Sequence, residues 1–155
     1  MLTIIQAKTD EEIDVARELF REYETALDLD LCFQGFEDEL RLLPGKYALP
    51  EGRLLLAYQD GSLAGCVAMR KLVDGICEMK RLFTRAEFRG QRVGISLIEH
   101  LISEARSIGY QKMRLDTHPP KMGKAVSLYE SLGFVPISPY YNNPSDDVLF
   151  MELTL

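Results

Sequence analysis

Six residues, Arg89-Gly90-Gln91-Arg92-Val93-Gly94, carry the clearest chemistry in this chain. From Val93 onward apolar residues fall at Leu97, Ile98, Leu101, Ile102, Ala105 and Ile108, the spacing of a buried helical stripe. Glu99, His100, Ser103, Glu104 and Arg106 take the wet side, and Gly109 supplies the stop. The arginine-rich turn therefore heads a helix, where unpaired backbone N–H groups and the positive end of the helix dipole attract an anion. A phosphate or pyrophosphate belongs there. Other reactive side chains read more plainly. His100, one turn from Glu104, is a solvated histidine. His118 follows a strand at the sheet edge where ligands bind and precedes Pro119-Pro120, so it is either a site residue or a loop histidine. Cys66 and Cys77 fall inside strands as small core residues.

The elements around that turn follow from the patterning. Residues 2–7 read as a strand. Thr9-Asp10-Glu11-Glu12 has the form of a capping box, and Ile13, Ala16, Phe20, Tyr23 and Leu27 follow at helical spacing over residues 10–27. Residues 36–45, FEDELRLLPG, read as a short second helix stopped by Pro44 and Gly45. Strands are expected over 53–59, 62–73 and 76–84, joined by Asp60-Gly61 and Asp74-Gly75 as two type I′ hairpins. After the long helix, 111–117 reads as a strand parallel to its predecessor because a helical crossover connects them. Residues 121–132 form a second crossover helix, 134–137 and 148–153 the last strands, and 140–147 the loop between them. No repeat or linker divides the 155 residues, which suit one domain over 1–155.

In this strand-turn-helix setting Arg89 to Gly94 resembles motif A of the GNAT superfamily of N-acetyltransferases, [R/Q]-x-x-G-x-[G/A], with Arg89 first and Gly94 last. The run SLYESLGF, residues 127–134, resembles motif B. The element order is similar to the GNAT acyl-CoA N-acyltransferase fold over nearly the whole chain. This implies an α/β (α+β) domain with a mixed, mostly antiparallel sheet of about seven strands flanked by about four helices. Two positions depart from the pattern. Arg92 occupies the place of the middle glycine; an arginine can adopt the right-handed backbone of a first helical turn, and its guanidinium can pair with a phosphate. Met122 stands where motif B often has asparagine.

The resemblance implies transfer of acetyl from acetyl-coenzyme A to an amine by direct attack in a ternary complex. The rival reading is an idle acyl-coenzyme A sensor or regulatory subunit. The coenzyme pyrophosphate maps onto Arg89, Gly90, Gln91, Arg92, Val93 and Gly94, and its pantetheine arm onto Leu82, Phe83 and Thr84, which requires β-strands to splay apart there. The Leu82 N–H is the implied donor to the oxyanion. Tyr129 of motif B is the implied acid for the leaving thiolate, or else a packing residue. Glu78 is the implied base. By strict alternation it shares a face with Lys80, Leu82 and Thr84, opposite Cys77, Met79, Arg81 and Phe83. A two-residue loop at Asp74-Gly75 would instead set Glu78 against Lys71 as a cross-strand ion pair. Residues 28–45, with Asp28, Asp30, Glu37, Asp38 and Glu39, and the loop 140–147 lie where the superfamily selects its acceptor. Those carboxylates either attract a cationic amine or form a solvated face.

Composition bounds the remaining classes. A formal net charge of -6 and a pI near 5.0 argue against a nucleic-acid binder. No apolar run approaches membrane-spanning length, and the N-terminus lacks the charged and apolar regions of a signal peptide. Three cysteines without metal-ligand spacing indicate reduced thiols, a cytoplasmic setting and no metal. The resemblance also admits a homodimer.

Overall fold

The computed structural model describes residues 1–27, 35–144 and 146–155. Its strands are β1 (Leu2–Gln6), β2 (Arg53–Gln59), β3 (Ser62–Val73), β4 (Ile76–Thr84), β5 (Lys112–Thr117), β6 (Val135–Ile137) and β7 (Leu149–Thr154). They form one sheet in the order β1-β2-β3-β4-β5-β7-β6, antiparallel except at the β4–β5 pair. The helices are α1 (Asp10–Leu27), α2 (Phe36–Leu42), α3 (Val93–Ile108) and α4 (Pro119–Ser131). This is the mixed, seven-stranded, four-helix arrangement expected from the sequence. None of the described helices is long and apolar enough to cross a membrane.

Local chemistry explains the boundaries. The capping box forms: Glu12 N–H donates to Thr9 Oγ1 at 3.1 Å, and Thr9 N–H returns a bond to Glu12 Oε1 at 3.0 Å. Helix α4 begins at Pro119 and not at 121, because prolines at its first positions give up N–H groups that have no intrahelical acceptor anyway. Both faces of the sheet are covered, so β2 reads as a continuous apolar run. Leu55 joins Val67, Met69, Cys77 and Met79 beneath α3 and its Val93, Leu97 and Leu101. Leu54 and Leu56 pack on the other face with Ala16, Phe20, Phe36 and Leu40 from α1 and α2.

Three irregularities in this sheet position the site. At Asp60-Gly61 both residues have positive φ, the expected type I′ turn, but at Asp74-Gly75 only the glycine does. The second hairpin pairs Val73 with Ile76 and then slips, with one extra residue on β3 between Lys71 and Val73. Glu78 therefore faces Arg70, not Lys71.

The second irregularity is a bulge in β4. Lys80 pairs with Ala68 and Phe83 with Cys66, so β4 carries an extra residue there, and Arg81 has φ 60°. Strict alternation fails at that point. Glu78 and Lys80 share a face as expected, and that face meets α1 and α2, but Arg81 turns to the same side, and Leu82 packs against the α3 core. Gly65 permits the close approach: a Cβ there would lie 2.3 Å from the Phe83 carbonyl oxygen. The third is a splay. β4 pairs with β5 from Ile76–Lys112 through Glu78–Arg114, after which β5 continues only with β7. The β5-facing edge of β4 from residue 79 onward opens onto space.

Candidate active site

The turn ahead of α3 has the geometry of an anion cradle. Helix α3 starts with no side-chain cap on its first N–H groups. Gly90 has φ 82°, and Arg92, the cap residue, lies at φ 64°, ψ 20° in the left-handed region. The right-handed backbone expected at Arg92 is thus corrected: the arginine adopts the conformation that a glycine at this place would take without strain. Gly94 lies beside β4, where a Cβ would sit 3.6 Å from Thr84 Oγ1.

A groove of about 830 Å³ runs from this cradle to the open edge of β4. Leu82, Phe83, Thr84, Arg89, Gly90, Arg92, Val93 and Gly94 all line it, and α4 closes the far wall with Gly123, Ala125 and Leu128. The size lies in the range of about 300–1,000 Å³ common for cofactor sites. Gln91 is turned elsewhere; its Nε2 donates to the Glu87 carbonyl at 3.3 Å.

Where β4 and β5 diverge, a gap of about 20 Å³ is lined by Tyr23, Lys80, Leu82, Asp116 and Tyr129, room for about one water molecule. Tyr129 is buried, its ring 5.8 Å from that of Phe134, and burial raises its phenol above the ordinary range, so it stays protonated. Asp116 faces the gap from β5. Burial pushes its carboxyl up, Glu78 adds to that shift, and Lys80 and Arg81 oppose it. The Tyr141 hydroxyl donates to Asp116 Oδ2.

Glu78 is 1% exposed and engaged at both oxygens. Arg70 Nε donates to Oε1 at 2.9 Å and the Tyr140 hydroxyl to Oε2 at 2.6 Å, with Lys80 Nζ 3.9 Å from Oε1. Tyr140, Tyr141 and Phe150 stack edge to face. The loop after β6 is thereby fastened to β4 and β5 through two carboxylate–tyrosine bonds.

The profile of the Acetyltransferase (GNAT) family matches residues 13–134, which hold the cradle, the splay and the gap. The chain belongs to the GNAT family. This GNAT is an acetyl-coenzyme A-dependent N-acetyltransferase. It is similar to an uncharacterized N-acetyltransferase of Schizosaccharomyces pombe, 38% identical with 99% of this chain and 95% of the relative covered. Among solved structures it resembles an acetyltransferase from Streptococcus agalactiae, with a TM-score of 0.80, 22% identity and 99% and 98% of the two chains covered. It also resembles an N-acetyltransferase from Thermoplasma acidophilum in complex with coenzyme A, with a TM-score of 0.72, 18% identity and 100% and 99% covered. At these identities the structural likeness is one of fold.

In this GNAT the described carboxylates among residues 28–45 pair with arginines. Glu39 holds Arg81 through two bonds of 2.8 and 2.9 Å, Asp38 pairs with Arg41 at 3.1 Å, and Glu37 lies 3.6 Å from Arg21. Asp28, Asp30 and the Met122 side chain lie outside the described residues. Asp116 alternates like any polar strand residue and gave no signal in the sequence, while Tyr140 and Tyr141 lie in the Pro- and Asn-rich loop 140–147 that the sequence marks as a whole without singling them out.

Arg92 offers a direct test of the cradle. Arg92→Gly removes a left-handed arginine, a strain of about 1 kcal/mol, against which the glycine's extra chain entropy counts for about 0.5–1 kcal/mol. The urea midpoint is expected to hold or rise, while coenzyme affinity measured by calorimetry falls several-fold as a phosphate partner disappears. Unchanged affinity would remove Arg92 from the cradle.

Proposed function

We propose that this acetyltransferase lays acetyl-coenzyme A along the groove from Arg89 to Leu82 and joins the acetyl group to an amine at the Leu82 end of the groove, beside the gap between β4 and β5. The observation that carries this reading is the splay. It exposes the edge of β4 beside an uncapped helix N-terminus, so the groove offers backbone N–H groups at one end and meets, at Leu82 and Tyr23, the separate gap that holds the buried acid–base side chains. Bound there, the coenzyme supplies an acetyl thioester. The backbone of Val93 and Gly94, with Arg89 and Arg92, holds its phosphates. The edge of Leu82, Phe83 and Thr84 orients its extended arm, and the Leu82 N–H donates to the acetyl oxygen as charge develops on it.

Tyr129 is the proposed proton donor to the departing sulfur, since its phenol lines the gap beside Leu82. For the amine proton two carboxylates compete. Glu78, first in line by position on β4, has both oxygens taken by Arg70 and Tyr140, which supports a role in fastening the loop after β6. Asp116 lines the gap itself with a carboxyl whose proton affinity is raised, which supports Asp116 as the base, acting directly or through one water.

Tyr129→Phe tests the acid. Turnover is expected to fall by about tenfold to a hundredfold with coenzyme affinity nearly intact. The loss is modest because a thiolate of ordinary basicity, pKa about 8.5, leaves with limited help. A fully active Phe variant in a thiol-release assay would end that assignment.

A further inference from the structure

A second pocket, of about 280 Å³, opens on the α2 side of β4 and is walled by Leu42, Lys46, Tyr47, Arg70 and Lys80. Lys80 lines both this pocket and the gap that holds Tyr129 and Asp116, so the two are neighbours. The acidic residues around it are already committed. Glu39 is held by Arg81, Asp38 by Arg41, and Glu78 takes one N–H of Arg70. Arg70 spends only its Nε–H on Glu78; among the described residues its terminal N–H groups and the Lys46 ammonium have no anionic partner. In a chain whose net charge is -6, a concave pocket with one unpaired ammonium and a guanidinium edge whose terminal N–H groups are spare asks for an anion from outside.

We infer that the acceptor amine carries a carboxylate, which the outer edge of Arg70 and the Lys46 ammonium receive in this pocket while the amine is directed past Lys80 toward the mouth of the gap. The inference rests on the proposed transferase function and names the acceptor's class within it. A planar guanidinium edge matches the two oxygens of a carboxylate, and Lys46 adds a point charge. The small volume suits a free amino acid or similar small molecule over a protein side chain. The wall of Leu42, Pro44 and Tyr47 gives its carbon skeleton an apolar surface.

The test is a thiol-release assay on the full chain with acetyl-coenzyme A and a ladder of ω-amino acids from glycine to 6-aminohexanoate. Each is compared with its amide and with the plain alkylamine, and O-phosphoethanolamine is included. The best acid is expected to exceed its amide at least tenfold in kcat/KM, mostly through KM. Lys46→Gln, at an exposed position, and Arg70→Lys, which leaves Glu78 a cation, should each bring that preference several-fold toward unity. Equal use of acid and amide, a preference for the phosphorylated amine, or a preference unchanged in both variants would overturn the inference. Coenzyme binding by calorimetry with no acid accepted would overturn it and leave the coenzyme groove standing. Absence of coenzyme binding would instead remove the transferase reading and this inference with it.

Discussion

Gly94→Glu is expected to abolish coenzyme binding, raising the dissociation constant at least a hundredfold in a calorimetric titration. Gly94 stands in the first turn of α3, lining the groove beside Arg92 and Val93. A carboxylate there meets the coenzyme's phosphates at short range. Two unit charges about 5 Å apart at an effective dielectric constant of about 20 repel by about 3 kcal/mol, and the diphosphate carries more than one charge. The added side chain also fills the space the phosphate would take. Gly94→Ala separates the causes. Its Cβ would stand 3.6 Å from Thr84 Oγ1, an ordinary contact, and the position is helical, so the alanine variant should fold normally and keep most of its affinity. Undiminished binding by the glutamate variant would take the pyrophosphate out of this turn.

The strand, turn and helix that carry the proposed cradle were legible in the sequence because every part of them is local. A 3.6-residue apolar period, a glycine stop and a turn rich in glycine and arginine lie within one stretch, and backbone geometry does the rest. The seven strands and four helices were legible for the same reason. What escaped depends on register. Period-2 alternation has no means of showing that β4 carries one residue too many, and that residue decides that Arg81 turns toward Glu39 and Leu82 toward α3. The hairpin at Asp74-Gly75 hid a second slip, because a dipeptide that suits a type I′ turn also suits a turn with only its glycine left-handed. One residue of slip moved the partner of Glu78 from Lys71 to Arg70 and, with it, the pocket's supply of free N–H groups. Arg92 shows the converse case: the side chain suggested a right-handed turn, and the surrounding fold holds it left-handed. The acidic run of α2 admitted a cationic amine or a solvated face; Glu37 and Asp38 are exposed and pair with arginines at the surface, and Glu39 turns inward to Arg81.

Asp116→Asn is expected to lower kcat/KM by about a hundredfold to a thousandfold, the span of a lost general base, while raising the stability of the fold at neutral pH. The two signs have one cause. Burial lifts the Asp116 carboxyl above its ordinary value, so the folded protein binds that proton more tightly than the unfolded chain does. Between the unfolded value and the raised folded value the folded state holds more protons, and stability falls as pH rises through that window. Above it the ionised carboxylate is a standing cost that asparagine removes, and the amide oxygen still accepts a bond from Tyr141. Activity runs the other way. A base must be ionised, so the wild-type rate should climb with pH through the raised Asp116 value, and the asparagine variant should lose that acidic limb along with most of its rate. Glu78→Gln supplies the contrast: it weakens the charge-assisted bond to Arg70 and the anchor for Tyr140, so it should lower the urea midpoint and keep the acidic limb, moved to lower pH because the Glu78 charge no longer raises Asp116. If instead the limb vanishes in the Glu78 variant and persists with full rate in the Asp116 variant, the proton passes to Glu78, and the loop after β6 must open to free it.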